Sequence, residues 1–164
     1  MKRPSWLILL SLAVCGRCNE VRKSHLAWGR FRRQDRADQT LPLQLRVALT
    51  QDHVDEAAHE LWKVSDPSSS QYGQYWTVDQ LVRTFAPPAE SSARVLRWLE
   101  ASGISSGQVT WLHGRTELQV DSSVAMVEQL LSTRVFHYLN LDLGDTLVGF
   151  DNYTLPESVL GAID

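Results

Sequence analysis

Ser65-Asp66-Pro67-Ser68-Ser69-Ser70-Gln71-Tyr72-Gly73-Gln74-Tyr75-Trp76-Thr77 decides how the rest of the chain is parsed. Asp66 precedes a proline, which disfavours helical dihedrals at Asp66 and ends whatever helix leads into it. The serine run and Gly73 carry turn chemistry. Thr77 and Gln80 then make a capping box, the entry signal of a new helix. One helix stops, a loop of specified shape follows, and a second helix begins.

Working outward toward the N-terminus, Leu43, Leu45, Val47 and Leu49 alternate with Gln44, Arg46, Ala48 and Thr50, the period of a strand with one buried face. Asp52 is the expected cap of a helix whose apolar residues Val54, Ala57, Ala58, Leu61 and Val64 recur at helical spacing. Toward the C-terminus, the helix opened by Thr77 presents Val78, Leu81, Val82 and Phe85. Pro87-Pro88 breaks it and starts another, with Val95, Trp98 and Leu99 apolar and Gly103 as its stop. Strands over 108–112 and 115–120 meet at a tight turn at His113-Gly114. Asp121 or Ser122 is expected to cap a helix facing inward through Val124, Val127, Leu130 and Leu131, and 134–139 reads as the last strand.

The order β-α-(α-α)-β-β-α-β predicts an α+β, ferredoxin-like domain over residues 41–140, an antiparallel sheet with helices on one face and an inserted helical pair. From Leu141 the periodicity fades, and residues 141–164 read as a mobile tail with weak apolar anchors at Phe150, Tyr153, Leu155, Val159 and Leu160.

The chain has 164 residues and is 43% hydrophobic, which leaves room for one core. Lys2 and Arg3, the apolar run Trp6 to Cys15 and small residues at Gly16 and Cys18 follow the plan of a secretory signal peptide over 1–18. That run is too short for a membrane-spanning helix, so no membrane anchor is expected after its removal. Cys15 and Cys18 fall at the same boundary and read as signal-segment residues.

Charge divides along the chain. Residues 17–36 hold seven Lys/Arg against Glu20 and Asp35, whereas 37–164 hold seven Lys/Arg against seventeen Asp/Glu. Residues 19–40 therefore read as a basic arm on an acidic domain, and the folded part would repel a phosphate backbone, which argues against nucleic acid. Arg30-Phe31-Arg32-Arg33 matches a furin-type cleavage pattern with Arg33 as the candidate processing site, weighed against a solvated basic tail.

Nucleophilic catalysis is not signalled. There is no G-x-S-x-G elbow, and the serines gather where turns and caps use them. His53 and His59 fall on different faces of one helix and no HExxH or Cys/His cluster occurs, so neither metal nor cofactor is expected. Asp52, Asp55, Glu56 and Glu60 make that helix acidic, either as a solvated face or as a docking surface. His25, His53, His59, His113 and His137 titrate in the range between secretory and lysosomal pH, which makes a pH-dependent interface worth testing. Asn152-Tyr153-Thr154 is an N-glycosylation acceptor, with Asn152 the candidate. Tyr72, Tyr75 and Trp76 are candidate partner contacts, and the remaining tryptophans read as core or interface anchors.

Through SDPSSSQYGQYWT, VLRWLEASG and FHYL, residues 41–139 resemble the activation domain (propeptide) of the sedolisin serine peptidases, the tripeptidyl-peptidase branch in particular. The resemblance implies a ferredoxin-like module, similar to subtilisin propeptides, that assists folding of the catalytic domain and blocks it until acid triggers self-cleavage. It implies a secretory, lysosomal or extracellular location and a sedolisin-type catalytic domain as partner, in cis or in trans. The family's Ser-Glu-Asp set, GTSxS motif and calcium site belong to the following domain, so no catalytic or metal residue transfers to this sequence. The expected role is a propeptide, with a free-standing secreted inhibitor or chaperone as the alternative.

Overall fold

The computed structural model describes residues 7–8, 20–24 and 29–164. Cys15, Cys18, His25, Trp28 and most of the expected signal segment lie outside the described residues. The elements run β1 (Leu7–Ile8), β2 (Glu20–Lys23), β3 (Phe31–Arg36), β4 (Pro42–Ala48), α1 (Val54–Ser65), α2 (Val78–Phe85), α3 (Ala89–Ala101), β5 (Val109–Leu112), β6 (Glu117–Ser123), α4 (Val124–Leu130), β7 (Phe136–Asn140), β8 (Thr146–Gly149) and β9 (Asn152–Leu155). The fold is α+β.

The alternation in β4 buries Leu43, Leu45, Val47 and, just beyond it, Leu49, as a period of two requires. β4 pairs antiparallel with β6, placing Leu45 opposite Val120 and Val47 opposite Leu118, and β5 pairs antiparallel with the far side of β6. β1 lies parallel to β4 on its outer edge, giving the order β1-β4-β6-β5. α3 contributes Val95 and Leu99 to the core, and α4 contributes Val124, Val127 and Leu130. Ser123 caps α4, its hydroxyl accepting from the Met126 N–H; β6 runs on to Ser123, past the expected caps Asp121 and Ser122.

Three expectations about the elements and their order are corrected. The inserted helical pair is α1–α2, since α3 and α4 supply the core while α1 buries only Val64 and α2 buries nothing fully. α1 begins after His53, whose φ is 56°, without a side-chain cap, so Asp52 is not its cap. The strand β7 does not return to β4; it joins β3 and β8 in a second antiparallel sheet.

The basic arm is not a solvated tail. β3 pairs along β7, Arg33 reaches Asp151 at 2.9 Å and Arg36 reaches Glu128 at 2.7 Å, so the arm is held by the acidic domain's own carboxylates. Nor is 141–164 a mobile tail: Phe150, Tyr153, Leu155, Val159, Ala162 and Ile163 are buried in the main core. Of the expected anchors only Leu160 stays partly outside. β8, β9 and a single 3-10 turn at Glu157–Val159 alternate too quickly for any one period to show in the sequence.

Candidate docking surface

The loop after α1 is built by its own polar groups. Asp66 accepts from the Ser68 N–H and hydroxyl, both at 2.8 Å, and these bonds hold its carboxyl below the usual aspartate range. The Gly73 N–H donates to the Val64 carbonyl at 3.0 Å, folding the loop back against the end of α1, and Gly73 takes φ 74°, which a glycine adopts without a Cβ penalty. Thr77 and Gln80 close the predicted capping box from both sides. The loop is therefore tied by hydrogen bonds at both ends.

That tie delivers the aromatic residues. Trp76 stacks on Phe85 of α2 with ring centroids 5.9 Å apart and planes 20° from parallel. Tyr75 projects beside it. With Ala57, Leu61 and Val64 of α1 and Leu81 of α2 they line an apolar cleft of about 290 Å³. A second, more polar depression adjoins it at Gln71, Gln74 and Gln80.

The cleft's apolar residues are partly open to solvent, Leu61 65% exposed and Tyr75 69%; Val78 at the start of α2 is 74% exposed, and Trp62, 59% exposed, lies on the other side of α1. Tyr72 and Val54 are more than half exposed as well. Scattered apolar residues are ordinary on a surface, but a contiguous group around a cleft marks an interaction site. Glu60 is the carboxylate that lines the cleft, held by Lys63 at 2.6 Å, while Asp52, Asp55 and Glu56 are exposed toward the start of α1. An apolar cleft on an acidic helix suits a partner with apolar and cationic groups.

Among the sequence candidates, Tyr75 and Trp76 line the cleft, and Tyr72 is exposed in the same loop. Leu61 lines it too and escaped as a site residue, because its helical spacing reads equally as core. Arg33 lies far along β3, opposite Tyr138 in the β7 register, where a protease meets it only if β3 leaves β7. Asn152 is exposed at the start of β9, a paired strand and not a loose tail. His53 sits 3.4 Å from Glu56 at the start of α1, His59 is exposed on α1, and His137 lies on β7, so the described histidines form no single cluster. Among the described residues no group of His, Cys, Asp and Glu is arranged to hold a metal ion, and no helix is long and apolar enough to cross a membrane.

Comparison with known proteins gives the family of the chain. A family model described as "Pro-kumamolisin, activation domain" matches residues 29–164. The chain belongs to that activation-domain family. Its relatives include the tripeptidyl-peptidase sed1 of Aspergillus fumigatus, 35% identical over 131 residues that make up 80% of this chain and 20% of that protein. Aorsin of Aspergillus oryzae is 31% identical over 73% of this chain and 18% of its own length. Bovine tripeptidyl-peptidase 1 is 28% identical over 99% of this chain and 29% of its own length. The activation domain thus spans about a fifth of the length of the first relatives it matches. The family match runs from Gly29 through β3 and on to Asp164, so it takes in both the strand read as a basic arm and the segment read as a tail.

Proposed function

We propose that this activation domain is the propeptide of a tripeptidyl-peptidase precursor of the sedolisin type, made with a signal peptide over 1–18 and carried through the secretory pathway. It acts by binding: it assists folding of the catalytic domain, covers that domain, and is released in acid. Asn152, solvent-facing within its acceptor triplet, is the place for a glycan. The single observation that carries the docking is the apolar cleft between α1 and α2, built outside the domain's own core.

Acid release is read from the exposed carboxylates Asp52, Asp55 and Glu56 toward the start of α1. Exposed carboxylates that pair with cations on a partner lose that pairing as pH falls toward the carboxylate pKa of about 4. The test mixes the secreted protein with the separately prepared catalytic part of a tripeptidyl peptidase such as sed1 and follows peptide hydrolysis. Inhibition at pH 7, lost at pH 4, is the expected result. A Leu61→Ala/Tyr75→Ala double variant should weaken it by about 100-fold with unfolding unchanged, since both line the cleft and neither belongs to the core. Equal inhibition by the variant would remove the docking role of this surface.

A further inference from the structure

The outer edge of β4 has two claimants. At its C-terminal end Leu49 is bridged antiparallel to Ile163; the Thr50 N–H donates to the Ala162 carbonyl and the Asp164 N–H to the Ala48 carbonyl, both at 3.1 Å. Further back, β1 lies parallel to the same strand with Leu7 opposite Gln44 and Ile8 opposite Leu45. Continued in its register, a strand entering beside Asp164 passes Val47, Arg46, Leu45 and Gln44 in turn. It and β1 exclude each other at Gln44 and Leu45.

The backbone points the right way. The Leu49 N–H turns inward to the Thr116 carbonyl and the Thr50 N–H outward to Ala162, so by alternation the peptide groups of Arg46 and Gln44 also face the outer edge. Side chains specify the rest. Residues directly opposite share a face, as the buried pair Leu49 and Ile163 shows, so positions opposite Val47 and Leu45 enter the core. The position opposite Arg46 lies on the other face, where Arg46 Nε is out of reach of water and has no hydrogen-bond partner among the described residues.

We propose that this edge is a strand-addition site for an extended segment of the peptidase partner, antiparallel to β4, with apolar residues opposite Val47 and Leu45 and a carboxylate opposite Arg46. The proposal rests on the propeptide reading, in which residues 1–18 are removed and β1 leaves the edge. Main-chain hydrogen bonds supply the attraction and the alternate side chains the selectivity.

The probe is the peptide acetyl-Val-Glu-Val-Thr-Val-amide, which matches the register from Val47 back to Leu43. It is titrated by NMR into isotope-labelled protein secreted in its processed form. Saturable shifts at the Gln44, Arg46 and Ala48 amides are expected, with about fivefold weaker binding when lysine replaces glutamate and the order reversed in Arg46→Glu. A peptide N-methylated at its glutamate, on the unaltered protein, should not bind. Absence of shifts along β4, binding of the N-methylated peptide, or a Glu/Lys preference that Arg46→Glu leaves alone overturns the proposal. Failure here with peptidase inhibition intact removes the edge and keeps the propeptide; loss of inhibition with the titration intact does the reverse.

Discussion

Gly114 holds φ at 65°, and a Cβ built there would stand 2.8 Å from Val82 Cγ2 of α2. Gly114→Ala therefore meets left-handed strain of about 1–2 kcal/mol and a contact with a short, stiff side chain. Destabilisation of about 2–3 kcal/mol in urea unfolding is expected; a change of only about 1 kcal/mol, the backbone strain alone, would mean that α2 is free to move from the hairpin. Tyr75→Ala, by contrast, should leave unfolding within about 0.5 kcal/mol, because at 69% exposed its ring belongs to the cleft and not the core. The turn at His113-Gly114 was legible because glycine between two strands has one common use. Leu61 was not: an apolar residue at helical spacing looks the same whether it meets its own core or another protein.

Among the elements, β3 most changes meaning between sequence and structure. Its charge pattern is that of a tail; its register against β7 is that of a sheet strand, and the difference is made by carboxylates over ninety positions away in the chain. Burial pushes the Glu128 carboxyl up, but the hydrogen bond from Arg36 at 2.7 Å, the Val135 N–H at 2.8 Å and the charge of Arg36 together hold it below its ordinary value. A lowered folded pKa means that this tie stabilises above the ordinary glutamate range and is lost as pH falls through the folded value. Stability should therefore decline with acid below about pH 4.5, and Glu128→Gln should flatten that decline, read as urea midpoints between pH 3 and 7. An unchanged slope would assign the acid sensitivity elsewhere. The same tie guards Arg33: a trypsin-like protease should cut after Arg33 more slowly than in Arg36→Ala, because cleavage needs β3 to leave β7.

At the scale of the whole molecule, the helices, β4 and the central hairpin were readable because each carries one period long enough to repeat, whereas the closing segment changes period every four residues. Its importance is energetic. Phe150, Tyr153, Leu155, Val159 and Ile163 are buried in the same cluster as β4, α3 and α4. At about 1.5–3 kcal/mol for each side chain withdrawn from water, they stabilise the fold by on the order of 10 kcal/mol, comparable with the whole net stability of a domain this size, about 5–15 kcal/mol. Shortening the chain to residues 1–140 should then abolish cooperative unfolding and expose the inner face of β4 to a hydrophobic dye, although every element of the expected 41–140 domain is still present. A sharp two-state transition in the shortened chain would show instead that β8 and β9 are accessories. Loss of that transition, together with retained folding in Phe150→Leu, would establish that the core closes only when the chain returns past β4 at Ile163, which also sets the direction in which that edge is approached.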